Sequence, residues 1–101
     1  MVLVVILDTK NKINAIHRVF TGSLNTSVAH PREIFRSALL NNGARILVYH
    51  NHPSGNTEPS EADLIFTKRM EEAGSVLGID LLDHIIVSGK EWLSLREYGL
   101  L

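Results

Sequence analysis

The run Val2-Leu3-Val4-Val5-Ile6-Leu7 constrains the fold more than any other stretch of this chain. It is continuously apolar and rich in β-branched residues, which favours an extended strand. Side chains alternate across a strand, so an unbroken apolar run needs cover on both faces. The run is short for a membrane span and no basic segment stands before it, so a buried strand is expected rather than a signal peptide or a span. The chain opens directly inside this strand and reads as a piece of a longer protein.

The rest of the chain supplies cover for such a strand. Residues 8–12 are polar turn material, and Ile13–Phe20 alternates, so two strands are expected to form a hairpin. Thr21-Gly22-Ser23 and Asn25-Thr26-Ser27 read as loop. Pro31 suits the first position of a helix, with Ile34, Phe35, Ala38 and Leu39 on one face and Gly43 placed to end it. Residues 44–49 form a third strand that delivers His50 at its end. Residues 51–59 hold Pro53, Gly55 and Pro59 and read as loop.

A second helix is predicted over Glu61–Leu77, with Leu64, Ile65, Ala73, Val76 and Leu77 as its apolar stripe and Gly78 as its stop. Residues 81–87 are a fourth strand, Ser88-Gly89 a turn, and residues 91–101 a short strand followed by a helical turn. Trp92, beside Leu93 and Leu95, is expected in the core. The order strand, strand, helix, strand, helix, strand gives a mixed α/β fold, an α+β sandwich of mixed sheet and flanking helices in one domain over residues 1–101.

Composition narrows the function. With 101 residues and 45% hydrophobic content, the chain can pack one core without staples. It has no cysteine, so a disulfide scaffold and thiolate metal sites are excluded, and a metal must use His, Asp or Glu. That absence fits the cytoplasm. The net charge of −1 and the scatter of one Trp, two Tyr and three Phe give no support for nucleic-acid binding by electrostatics.

The chemistry concentrates in His50-Asn51-His52-Pro53-Ser54-Gly55-Asn56-Thr57-Glu58-Pro59-Ser60-Glu61-Ala62-Asp63. Residues two apart on a strand share a face, so His50 and His52 project together. Asp63, in the first turn of the next helix, can swing back to complete three ligands. Zinc accepts imidazole nitrogen and carboxylate oxygen, and three protein ligands with one open position is the catalytic pattern. With five histidines in the chain, a His-x-His pair alone does not define a site, and a turn histidine beside a surface histidine is the alternative. Ser60 and Asp63 likewise fit a capping box.

His50-x-His52, seven residues, then Ser60-x-x-Asp63 resembles the JAMM motif of the MPN (Jab1/Mov34) metalloproteases. His50-Asn51-His52-Pro53-Ser54-Gly55, His30-Pro31-Arg32-Glu33, Leu7-Asp8 and Leu82-Asp83-His84 resemble the RadC-type branch, across essentially all 101 residues. The resemblance implies a cytidine-deaminase-like, MPN-type sandwich, here the C-terminal domain behind an N-terminal helical region. It implies that His50, His52 and Asp63 bind zinc and that a zinc-bound water attacks an amide or isopeptide carbonyl of a protein or peptide. Ser60 would hydrogen-bond the oxyanion. Zinc lowers the pKa of its water to about 7, and a nearby hydroxyl stabilises the developing charge.

The family also uses a glutamate base just before the first core strand. Counting back from Asp8, that position falls immediately before Met1. Glu33 is the expected internal substitute as a catalytic residue; its alternative is a helix-start carboxylate favoured by the dipole. Glu58 and Glu61 read as solvated. His30 caps a helix or lines the site, and His17 is expected to be exposed. His84 reads as a core or edge histidine held by a neighbouring carboxylate, or as a contact that orients a ligand. Two other functions compete: a non-catalytic interaction or DNA-repair accessory module that keeps the fold, and a purely structural zinc site with a fourth protein ligand.

Overall fold

The computed structural model describes residues 1–20, 31–53 and 55–101. The expectations for residues 21–30, His30 among them, and for Ser54 lie outside the described residues. The elements are β1 (Val2–Leu7), β2 (Ile13–Phe20), α1 (Pro31–Leu40), β3 (Arg45–Asn51), α2 (Glu61–Leu77), β4 (Asp80–Ser88) and β5 (Glu91–Ser94). The strands form one mixed sheet in the order β2-β1-β3-β4-β5. β1 lies between β2 and β3, antiparallel to both. β3 and β4 run parallel, joined by α2 as crossover, and β5 returns antiparallel to β4.

The hairpin forms as its sequence predicts. Asp8 Oδ1 accepts the backbone N–H groups of Lys10 (2.8 Å) and Lys12 (2.9 Å), and Asn11 takes the left-handed conformation at φ 61°. On one face of the sheet Val2, Val4 and Ile6 join Ile46 and Val48, and both helices close over them with Ile34, Phe35, Ala38, Phe66 and Met70. Val5 and Leu7, on the other face of β1, are also buried. No helix among the described residues is long and apolar enough to cross a membrane.

Three expectations need correction. The buried stripe of α2 is Asp63, Phe66, Thr67, Met70 and Gly74, with Ala73 at its margin. Leu64, Ile65, Val76 and Leu77 are exposed, Val76 at 87%. Phe66 and Met70 fix the helix's phase, and two polar residues ride with them into the interior. Leu39 of α1 is exposed for the same reason: Ile34, Phe35 and Ala38 already fill the contact. Trp92 is 60% exposed, not core. It pairs with Val87 on the edge strand, while Leu93, paired with Ile86, takes the buried side.

The helix ends also divide their labour differently than expected. Asn42, not Gly43, takes the left-handed position after α1, at φ 53°. Gly43 N–H then donates to the Ala38 carbonyl at 2.8 Å, closing a Schellman turn. Gly43 matters for space: a Cβ there would sit 2.6 Å from Ile6 Cγ2. After α2, Gly78 does take the left-handed position, at φ 73°, and Ile79 N–H donates to the Gly74 carbonyl at 2.9 Å.

Candidate metal centre

β3 carries Ile46, Val48 and His50 inward in succession, so the apolar face of the sheet ends in an imidazole. The chain leaves the strand after Asn51, yet His52 stays tied to β4. Its N–H donates to the Val87 carbonyl (2.9 Å), and its carbonyl accepts from Ser88 Oγ (2.6 Å). The His50 and His52 rings meet edge to face, with centroids 4.7 Å apart and planes at 79°.

Asp63 arrives from above through the capping box. Its N–H donates to Ser60 Oγ (3.1 Å), and its Oδ2 accepts the Ser60 backbone N–H (2.7 Å). The capping reading and the ligand reading therefore describe one side chain. While Asp63 holds the helix start, its Oδ2 lies 2.8 Å from His52 Nε2 and its Oδ1 lies 3.3 Å from His50 Nδ1. Asp63 and His50 are buried, and His52 is nearly so. The three residues offer one ligand atom each, all within 4.8 Å of one another.

Two details fit this cluster to a cation. His50 Nδ1 is buried and has no hydrogen-bond partner among the described residues, a gap that a metal would fill. His52 Nδ1 sits 2.8 Å from the Asn56 carbonyl, which can only accept, so Nδ1 carries the proton. That leaves Nε2, the atom facing Asp63, as the nitrogen with a lone pair to offer a cation. Zinc with bonds of about 2.1 Å at tetrahedral angles sets its ligands about 3.4 Å apart, near the 3.3 Å between Asp63 Oδ1 and His50 Nδ1. Burial pushes the His50 pKa below its ordinary value, against the pull of Asp63 and helped by His52, a direction that favours the neutral ring a metal needs.

The remaining site residues fall into four groups. Ser60 stands at the rim, exposed, and its Oγ accepts the Asp63 N–H. Glu33 lies apart from the cluster. Its side chain is 53% exposed, 3.8 Å from Arg32, in a surface depression shared with His17, Arg36 and Asn41. Glu58 and Glu61 are exposed, as is His17. His84 is fully buried, but the neighbouring carboxylate does not hold its ring: Asp83 Oδ1 accepts the His84 backbone N–H (2.7 Å), while the ring Nδ1 meets Thr67 Oγ1 (2.7 Å). Sequence reasoning missed Thr67, Ser88 and the Asn56 carbonyl. A threonine four residues after Asp63 inside a helix was a usable signal, because such hydroxyls bond back to the preceding turn. The other two contacts have no local sequence signature.

A mixed α/β domain that ends a central strand in a His-His-carboxylate cluster belongs to a class of proteins equipped to hold a metal ion. The particular family follows from comparison. Residues 1–100 match the family model of the RadC-like JAB domain, and the chain belongs to that family, which includes the JAMM metalloproteases. It is 52% identical over 98 residues to a UPF0758 protein of Clostridium beijerinckii, covering 97% of this chain and 43% of that protein. It is 59% identical over 91 residues to a UPF0758 protein of Enterococcus faecalis, covering 90% and 39%, and 50% identical over 96 residues to one of Clostridium botulinum, covering 95% and 42%. The chain thus spans about two fifths of the length of these curated relatives.

Proposed function

We propose that this domain is a zinc-dependent hydrolase of the JAMM type, acting on an amide or isopeptide bond of a protein or peptide. In this reading it is the C-terminal domain of a longer RadC-type protein, and the cysteine-free composition supports a cytoplasmic location. The observation that carries the reading is the convergence of His50, His52 and Asp63 at a buried strand end, with an orphaned imidazole nitrogen among them. When bound, zinc would polarise the scissile carbonyl and activate water. Ser60, whose oxygen already accepts the Asp63 N–H, would donate its hydroxyl proton to the oxygen on which negative charge develops. Asn56 and Ser88 would hold His52 in orientation.

The base must be a carboxylate able to reach the cluster. The register sets Val2 opposite His50, so the start of β1 lies at the site's end of the sheet. This supports a glutamate delivered from directly before β1 in the longer protein, over Glu33 in its separate depression. Glu33→Gln is then expected to leave turnover unchanged, and a large loss would make Glu33 the base.

Elemental analysis of protein reconstituted with zinc tests the centre. One zinc per chain is expected, lost in His52→Ala and in Asp63→Ala. Folded wild-type protein that never retains zinc would sink the reading. Hydrolysis of isopeptide-linked peptides by the longer protein, abolished in the same variants, tests the reaction.

A further inference from the structure

Behind His50 lies a buried pair that the proposed hydrolysis does not use. The ring of His84, on β4, is 5.6 Å from the ring of His50 and 5.6 Å from that of Phe66. Its Nδ1 is 2.7 Å from Thr67 Oγ1, and Thr67 Oγ1 is 2.9 Å from the backbone carbonyl oxygen of Asp63. A hydroxyl has one proton and a carbonyl can only accept. The Thr67 proton therefore goes to Asp63, and the second bond forms only if His84 Nδ1 donates to Thr67. This count fixes His84 as the Nδ1–H tautomer. Its Nε2 is left as a buried lone pair without a partner.

The result is a directed chain: β4 imidazole to α2 hydroxyl to the backbone of the residue that carries the carboxylate. The capping box grips the first turn of α2 from the Ser60 side, and this chain grips it from the sheet side. Between them they leave the Asp63 backbone little freedom. A carboxylate that must reach two imidazoles at once depends on that restraint.

We propose that His84 and Thr67 are positioning residues of the metal centre, setting the first turn of α2 so that Asp63 reaches His50 and His52 together. This rests on the reading of the cluster as a zinc site. Thr67→Val removes the hydroxyl and keeps the shape, whereas Thr67→Ser keeps the hydroxyl. His84→Asn offers an N–H where Nδ1–H now lies, whereas His84→Gln matches the Nε2 position instead.

Zinc affinity measured against a competing chelator should fall about 10–100-fold in Thr67→Val and His84→Gln, the range for lost outer contacts to ligands. It should stay near wild type in Thr67→Ser and His84→Asn. The absorption bands of the cobalt-substituted protein should shift in the first pair only. Nitrogen–proton correlation spectra of the wild-type imidazoles, which need no variant to fold, should show His84 protonated at Nδ1. An Nε2–H tautomer, or Thr67→Val binding zinc like wild type, overturns the positioning role alone. Wild-type protein that takes up no zinc overturns both this role and the function it rests on.

Discussion

The helix-covered face of the sheet has two ends built on opposite terms. At one end Ile6, Ile46 and Leu81 meet Ala38 and Ile79, all buried carbon. At the other, the same strands present His50, His84 and Ser88, and α2 lowers Asp63 and Thr67 onto them. No change of fold separates the two; the alternation of β3 runs through Ile46 and Val48 into His50. The apolar end gains free energy from every ångström of area it hides. The polar end costs free energy wherever a buried group lacks a partner, and among the described residues His50 Nδ1 and His84 Nε2 both lack one. Stability should therefore reside at the first end and function at the second.

The largest test of that division is a truncation at the carbon end. Ile46→Ala should lower unfolding free energy by about 2–5 kcal/mol, through lost transfer energy and the cavity left behind. Urea unfolding measures it. Zinc stoichiometry of the folded fraction should not change, and a loss of zinc there would show the two ends to be coupled.

Between pH 4 and 6.5 acid should act mainly on the polar end. Burial holds the His84 pKa down to about 4, with His50 beside it acting in the same direction, while the unfolded chain titrates near 6.5. Between those values the unfolded state binds more protons than the folded one, so stability rises with pH there. The contribution is complete above pH 6.5 and is lost as pH falls toward 4, about 3 kcal/mol for a shift of this size. The lowered His50 pKa adds to the same trend. Metal-free protein melted across this range should show the slope, and His84→Asn should flatten most of it. A curve level between pH 4 and 6.5 in the wild type would mean that the buried rings find partners in solution.

The two ends were also unequally legible in the sequence. The carbon end was readable because one pattern decides it: an unbroken β-branched run, an alternating partner, helices opened by Pro31 and stopped at Gly78. The convergence of His50, His52 and Asp63 was readable because the strand period and the helix start each place their residues locally. What escaped depends on three-dimensional phase. Leu64 and Ile65 look as fit for burial as Phe66 does, and only the sheet beneath decides which side turns inward. Trp92 fell to the open side because β5 is an edge strand, and strand order is not written in the strand. The ring of His84 found Thr67 rather than Asp83, because neighbours along a strand point to opposite faces.

The smallest effect separates two roles carried by one residue at the polar end. Ser60 caps α2 with its oxygen, and in the proposed reaction it donates with its proton. Ser60→Ala should lose both: about 1 kcal/mol of stability, the usual worth of an N-cap, together with turnover. Ser60→Asp keeps an acceptor for the Asp63 N–H but has no hydroxyl to give, so it should regain the stability and not the activity. Melting temperature reads the first property and peptide hydrolysis the second. If activity returned with the cap, Ser60 would serve only to fix the helix start, and the work of the polar end would rest on the trio His50, His52 and Asp63 without a donor of its own.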